Sequence, residues 1–556
     1  MEHRFSYETR SANIAKMATQ PVDLLVIGAG ITGAGIARDA AMRGIRTAIV
    51  DKGDFGSGTS SRSTRLVHGG LRYLEYGRLR LVHEACKERS VLLRIAPHLV
   101  WHRSFLFPVH EGARVGRWKL AAGLWLYDLL AMFGGVGRHK VMGIRAMRRA
   151  EPRLKSRGLK GGARYFDAQC DDARLTLATV RSAHQHGALA ANYVQVERLE
   201  VADGQIRGAK VTDLVTGSPH TVHAHIVVNA TGPWSDRFRA QEQEGDPALR
   251  PTKGVHIAVP RHRMGNQEAL TIASPVDGRV MFIIPWGELS YVGSTDTDCL
   301  DPPEEIYASG DDVVYLLRSA NALFPDARLT PEDVVATWAG LRPLAAASEP
   351  QDSSAVSRVH RIVESPSGLI SVVGGTLTSH RIMAAEAVGE VGRRLHELDG
   401  RPVPHTPDTH REALPGGEAR DLAVLIDEAE RDGIARDTAE HLVRTFGSET
   451  PAVIRLAQAK PELSRPIVTG HPAIRAELVH AIRREMALTL GDLLMRRTHL
   501  FYEAANHALD QISSIAQLAA GEMEWETDRS AAELAAYSNE VDLTMAFRTE
   551  LGPMKS

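Results

Sequence analysis

Cysteine is nearly absent: Cys86, Cys170 and Cys299 are the only three in 556 residues, and they lie far apart with no Cys-x-x-Cys pair. That scarcity argues against a disulfide scaffold, an iron–sulfur cluster or a zinc site, and fits a reducing compartment. Charge of one sign is also lacking. The formal net charge is -2, and acids and bases are interspersed, so nothing in the electrostatics favours nucleic acid as a partner. Residues 1–20 mix charged and small side chains without the apolar core of a signal peptide, which leads us to expect a cytoplasmic protein. No stretch approaches the roughly 18 apolar residues of a spanning helix. The nearest, residues 120–133 (LAAGLWLYDLLAMF), is short and contains Asp128. Arg114, Arg117 and Lys119 precede it, and Arg138 and Lys140 follow. Such a segment suits either a membrane interface or a core helix with solvated ends. Internal repeats and low-complexity segments are missing too, and the length leaves room for about two to four domains.

What the sequence does hold is organised around residues 23–51, DLLVIGAGITGAGIARDAAMRGIRTAIVD. Leu24 to Ile27 reads as a strand buried on both faces. Gly28, Gly30 and Gly33 follow in Gly-x-Gly-x-x-Gly spacing, then an Ala-rich helix and a second strand ending in Asp51. Gly28 permits the tight turn, Gly30 lets a pyrophosphate approach the backbone, and Gly33 lets the helix pack on the strand. The phosphates then sit at a helix N-terminus, where free N–H groups and the dipole favour anions. Asp51 is placed to accept hydrogen bonds from a ribose diol, which selects FAD or NAD over NADP.

Residues 53–73 follow, dense in Gly, Ser and Thr and without hydrophobic periodicity, so they read as a loop. It carries a cationic set beside the expected cofactor: Arg62, Arg65, His68 and Arg72. The pattern then predicts a helix over 79–95, a helix over 175–187 with Asp171 and Asp172 placed to cap it, and a strand over 190–201. Segments 208–215 and 221–228 read as a hairpin about Thr216, Gly217 and Ser218. The second of these runs into Ala230, Thr231 and Gly232, a small-residue turn that backbone or ligand can approach closely. Residues 250–298 alternate apolar and polar side chains, as expected of a mainly antiparallel substrate-side sheet. A strand over 369–373 opens onto Gly374, Gly375, Thr376, Leu377, Thr378, Ser379, His380 and Arg381, and a helix is expected from 382 to about 398. Residues 401–417 read as a linker, and 418 to about 550 as a separate helical cap or interaction domain.

Two Gly-rich strand–turn–helix units therefore bracket the first 400 residues. A nicotinamide dehydrogenase usually completes its nucleotide domain with consecutive βαβ units. An interrupted one suits FAD stretched across the domain with its ring against a substrate sheet; NAD is the weaker alternative. We thus expect an α/β fold, with a Rossmann-like nucleotide part over about 21–100, 165–250 and 335–400. The substrate sheet is expected over about 100–165 and 250–335.

Several motifs in one order resemble the FAD-dependent glycerol-3-phosphate dehydrogenases: DLLVIGAGITGAGIARDAAMRG, STRLVHGGLRYLE, DAQCDDARLTLA, NATGPW, KGVHIAVP, WAGLRPL from Trp338, and HAIRREMALTLGDLLMRRT over 480–498. The resemblance runs from about 21 to 545. It implies a D-amino-acid-oxidase-like catalytic region with bound FAD and a helical C-terminal domain. It further implies oxidation of sn-glycerol 3-phosphate to dihydroxyacetone phosphate, with electrons passed to quinone. The enzyme is then expected at the inner face of the membrane, as a peripheral protein and a homodimer. Cofactor contacts would come from Gly28, Gly30, Gly33, Asp51, Thr59, Ser60, Ser61, Arg65, His68, Val196, Ala230, Thr231, Gly232, Gly375, Thr376, Leu377 and Thr378.

Oxidising a secondary alcohol requires hydride transfer to the flavin, a base for the hydroxyl proton, and cations for the phosphate dianion. Arg342 and Arg72 are the leading phosphate candidates, because a guanidinium makes bidentate contacts. His256, matching the family histidine in KGxHI, is the choice for the base, against the alternative of a hydrogen-bonded core histidine. His68 and Tyr73 are secondary candidates for orienting substrate or flavin, and Lys253 equally suits a solvated sheet residue. One departure stands out. The family usually places lysine where this chain has Thr376, and tyrosine where it has His380. Losing that ammonium removes a charge-assisted hydrogen bond of roughly 1.5–3 kcal/mol. At about 1.4 kcal/mol per tenfold, phosphate binding weakens tens- to a hundredfold unless His380 or Arg65 compensates. A related polyol phosphate or anionic hydroxy compound, oxygen as acceptor, or a non-catalytic flavoprotein are the alternatives that follow.

Overall fold

The computed structural model describes residues 4–132, 137–241, 247–346, 360–403, 405–419 and 421–552. Phe133 of the apolar run, Pro404 of the expected linker and Arg420 of the helical region lie outside the described residues.

Val22–Ile27 forms the centre of the first sheet, with all its positions buried. It runs parallel to Thr47–Val50 on one side (Leu24↔Thr47) and to Pro219–Asn229 on the other (Val22↔Ala224). Leu189–Ala191 and Ile370–Val373 extend the parallel order outward, and Arg361–Glu364 closes one edge antiparallel. The apolar run Leu24 to Ile27 thus occupies the doubly covered position that its lack of alternation predicts. The helix Ile31–Met42 follows and packs between Asp172–Gln185 and His380–Asp399. Gly28 adopts φ +97°, and a Cβ there would lie 2.7 Å from the Ala230 carbonyl oxygen. A Cβ on Gly33 would overlap the Gly28 carbonyl, so this glycine sets the close seat of the helix on the turn. The hairpin about 216–218 forms as expected, with Thr212 opposite Pro219, and Val194–Ala202 adds a third strand.

The second sheet is mostly antiparallel and runs Thr297–Asp298, Leu249–Pro260, Leu289–Gly293, Val280–Trp286, Ala269–Ala273, Val100–His110, Leu159–Cys170, Leu66–Val67. Residues 335–400 read as nucleotide part in the sequence, and here the structure differs. Ala336–Ala345 joins the second sheet, paired with Leu249–Pro260 from Leu249↔Ala345 to Ala258↔Ala336. The segment returns to the first sheet only at Ile370–Val373.

The segment expected as a linker is packed down. Thr409, Leu414, Gly416 and Gly417 are buried, and the buried Arg38 guanidinium donates to the Thr409 and Glu412 carbonyls at 3.0 Å. The helical region beyond it is not a detached cap. Its Leu478, Leu493, Phe501 and Tyr537 share one continuous core with Phe105, Tyr165, Tyr291 and Trp338 of the second sheet. Proline- and glycine-rich composition identifies residues that resist regular structure, and says nothing of whether tertiary contacts bury them. Among the described residues no helix is long and apolar enough to cross a membrane.

Candidate active site

A cavity of about 760 Å³ opens between the two sheets. One end is built by the nucleotide motif. Gly28, Gly30, Ile31 and Thr32 line it where the helix Ile31–Met42 begins without a side-chain cap, and the Ile31 N–H donates to the Ser60 hydroxyl at 2.9 Å. Asp51 stands on the same wall, its carboxylate oriented by two backbone donors, Ala29 N–H (2.6 Å) and Gly53 N–H (2.9 Å). Burial pushes its pKa up to about 6, against the pull of those two N–H groups. Each carboxylate oxygen keeps acceptor capacity beyond its one backbone bond, as a ribose diol requires.

The wall continues through Thr59, Ser60, His68, Val196, Ala230, Thr231 and Gly232 to Gly375, Thr376, Leu377 and Thr378. The loop 53–73 is tied across it. Thr59 donates to the Leu341 carbonyl (2.6 Å), and the His68 N–H donates to the Thr378 hydroxyl (3.3 Å). Thr376 bonds the Ser379 hydroxyl at 2.9 Å, inside its own turn.

On the sheet side, His256 and Arg342 come to the cavity on one face of adjacent strands. His256 is opposite Trp338 and Arg342 opposite Thr252, so period-two alternation turns both the same way. The His256 ring stacks on Trp338 at 5.1 Å and 10° between planes. Its Nε2 hydrogen bonds with the Thr64 hydroxyl at 2.9 Å, and its Nδ1 has no hydrogen-bond partner among the described residues. Burial, with the nearby Arg342 and Arg65 charges, holds its pKa well below the usual imidazole range, so the ring is neutral. Arg342 donates to Asp296 Oδ1 (3.1 Å), the Ser294 hydroxyl (2.5 Å) and the Thr295 carbonyl (3.0 Å). Two glycines make room for this pair: a Cβ on Gly293 would overlap the His256 ring, and one on Gly254 would overlap the Arg342 guanidinium.

Other expected site residues lie off the wall. Tyr73 packs into a small apolar cluster with Val82, Cys86 and Tyr127, and Arg72 beside it does not reach the cavity. His380 is buried against Gly35 and bonds the Leu377 carbonyl through Nδ1 (2.9 Å); burial pushes its pKa down to about 4, so it supplies no cation. Arg65 is a buried cation behind the wall, 3.9 Å from Asp172 and stacked on Trp286 and Trp338. Neither brings a cation to the wall beside Thr376. Gly33 and Ser61 also stand behind the lining.

Sequence reasoning missed other lining groups. Arg62, one of the loop cations, lies against Gly340, two residues from Arg342, and among the described residues its ion pair is a loose 3.9 Å contact with Glu540. Glu304, from the loop after the strand Thr297–Asp298, clasps Lys52 (2.7 Å), the Trp234 indole N–H (2.7 Å) and Arg237 (3.0 Å) at the cavity wall. The Gly254 signal was present inside KGVHI, whereas nothing local pointed to Glu304.

A glycine-rich strand–turn–helix, an oriented carboxylate and a cavity that crosses to an antiparallel sheet fit FAD, and they define an FAD-dependent oxidoreductase. Residues 23–392 match the family model "FAD dependent oxidoreductase", and 407–530 match "C-terminal domain of alpha-glycerophosphate oxidase". The chain is 36% identical to an aerobic glycerol-3-phosphate dehydrogenase of Staphylococcus aureus over 530 residues, 94% of this chain and 93% of the relative. The chain belongs to the aerobic glycerol-3-phosphate dehydrogenase family. The structure of the glycerol-3-phosphate dehydrogenase from Bacillus halodurans complexed with FAD superposes with a TM-score of 0.81, at 31% identity and 99% coverage of each chain. A glycerophosphate oxidase from Mycoplasma pneumoniae shares the fold at 14% identity and TM-score 0.53, over 71% of this chain and 98% of its own.

Proposed function

We propose that the protein oxidises sn-glycerol 3-phosphate to dihydroxyacetone phosphate and passes the electrons to a membrane quinone. The carrying observation is the pairing of His256, whose buried Nδ1 has no partner among the described residues, with Arg342 on the same wall. A buried polar nitrogen left unpaired calls for a partner, and a substrate group is one that can supply it. His256, neutral, accepts the hydroxyl proton, while Thr64 fixes the ring through Nε2. Arg342, oriented by Asp296, and Arg62, only loosely held by Glu540, bind the phosphate. Bound FAD would supply the acceptor for the hydride. Names of relatives that act on glycerol 3-phosphate support the substrate.

The test is the anaerobic flavin spectrum with a panel of polyol phosphates. Bleaching by sn-glycerol 3-phosphate is expected; a bound flavin that stays oxidised with it ends this substrate assignment. Thr376, which lacks the family ammonium, favours a second reading in which a different polyol phosphate bleaches best. Stoichiometric peroxide in air would instead make oxygen the acceptor.

The helix Arg117–Leu130 supports contact with a membrane surface. It buries Leu120, Leu124 and Tyr127, yet Trp118 (78% exposed), Trp125 (61%) and Leu129 (59%) form an outward apolar stripe at helical spacing, and Met132 (69%) is exposed just past the helix end. Arg117 and Lys119 flank it, an arrangement suited to an anionic interface where quinone is dissolved. The resemblance also supports a homodimer, which sedimentation would check.

A further inference from the structure

The turn that carries Asp51 is gripped from the far end of the chain. Asp54, three residues on, lies outside the cavity and is buried. Its carboxylate accepts Arg496 Nε (2.7 Å), Arg497 Nη1 (2.7 Å) and Nη2 (3.0 Å), and Asn192 Nδ2 (3.1 Å). Arg496 and Arg497 belong to the π-helical turn Asp492–Arg497 of the helical region. Arg496 also donates to Asp492 Oδ1 (2.6 Å), which accepts the Tyr193 hydroxyl (2.6 Å). The Tyr193 N–H returns to the Gly53 carbonyl (3.0 Å) and the Val194 N–H to the Asp51 carbonyl (2.7 Å). The loop from Asp51 to Asp54 is thus held by backbone on one side and by two guanidiniums on the other.

A carboxylate stripped of water is tolerated only where charged donors replace its hydration in good geometry. Asp54 therefore has one favourable position. Three residues of chain span at most about 11 Å, so a displacement of Asp54 is passed directly to Asp51.

We propose that the helical region is part of the cofactor site: Asp54, Arg496 and Arg497 are positioning residues that hold the Asp51 turn in the conformation that takes the FAD ribose. This rests on the reading of Asp51 as the ribose acceptor. The Asp51 carboxylate is aimed by its own backbone bonds, and those bonds are kept in place by side chains more than 400 positions away in sequence.

The experiment is the rate of FAD release from the holoenzyme, read as the rise in flavin fluorescence, beside the melting temperature. Asp54→Asn and Arg497→Gln are each expected to speed release by about tenfold to a hundredfold. The double variant should be no faster than the faster single one, because the two groups act as a unit. Arg497→Lys, which keeps the charge but loses the fork, should fall between and serves if a neutral variant does not fold. Arg548→Gln removes another contact of the helical region, its bond to the Val334 carbonyl (2.8 Å), away from the Asp51 turn, and should change release by less than about threefold at a comparable loss of melting temperature. Equal release from Asp54→Asn and wild type overturns the proposal, as does release that follows melting temperature alike in all variants. Asp51→Asn, measured in parallel, separates the readings. If it releases FAD no faster than wild type, the ribose assignment fails and the proposal with it; if it does and Asp54→Asn does not, only the clamp is wrong.

Discussion

Gly293 and His256 face each other across adjacent antiparallel strands, and the imidazole occupies the space that a Cβ on Gly293 would fill. The ring cannot retreat, because Trp338 stacks on it and Thr64 holds Nε2. Gly293→Ala should therefore displace the imidazole and lower kcat by about tenfold or more, since small misplacements of a reacting group are costly. Flavin content should stay at the wild-type level. Unchanged kcat in the purified variant would separate His256 from the chemistry.

Gly254 stands in the same relation to Arg342. Gly254→Ala and Arg342→Lys should both raise KM for the phosphate substrate by about tenfold to a hundredfold, the loss of a charge-assisted bidentate contact. Steady-state kinetics with glycerol 3-phosphate and a soluble quinone analogue reads this. An equal KM in wild type and Arg342→Lys would place the phosphate elsewhere.

The raised pKa of Asp51, about 6, makes FAD binding depend on pH. Ribose hydroxyls donate best to the ionised carboxylate, so binding favours loss of the proton. Affinity should then be level above pH 6 and fall as the pH drops below it, by up to about tenfold per unit. Fluorescence titration of apoprotein between pH 4.5 and about 8 measures this range. Asp51→Asn should flatten the profile, and a wild-type profile without a slope would contradict the assignment.

Thr376 lies on the cavity wall and, among the described residues, bonds its hydroxyl within its own turn. Thr376→Lys should restore a cation there and lower KM for sn-glycerol 3-phosphate by about tenfold or more. A KM that rises, with a gain for another polyol phosphate in the wild type, would assign Thr376 to a different substrate.

Trp118 and Trp125 project from the helix Arg117–Leu130 into solvent. Replacing both with serine should reduce co-sedimentation with phosphatidylglycerol-containing vesicles by about tenfold or more, because buried apolar area drives interfacial binding. Turnover with a soluble acceptor should be unaffected. Equal vesicle binding by wild type and variant would remove this helix from the interface.

Much of the architecture was legible because it is local. The helix expected over 79–95 is Leu79–Ile95, and the hairpin about 216–218 forms with the expected strands. Asp171 caps the helix Asp172–Gln185 through the Arg174 N–H, and Asp172 accepts both the Ala173 N–H of the first turn and the Ser63 hydroxyl. The candidate site was legible in part. Gly28, Asp51, His256, Arg342 and Thr376 all reach one cavity, whereas Tyr73 and His380, from equally suggestive motifs, are packed away from it.

The sequence by itself determined the strand–turn–helix at 22–50 and the order of the motifs, since these depend on neighbours within a few residues. The tertiary structure alone decided which cations face the cavity, that Ala336–Ala345 belongs to the second sheet, and that Arg496 and Arg497 close on Asp54. Those outcomes depend on which faces pack together across hundreds of residues. The energy of a buried charge is set there by its partners in space, and local pattern carries no record of them.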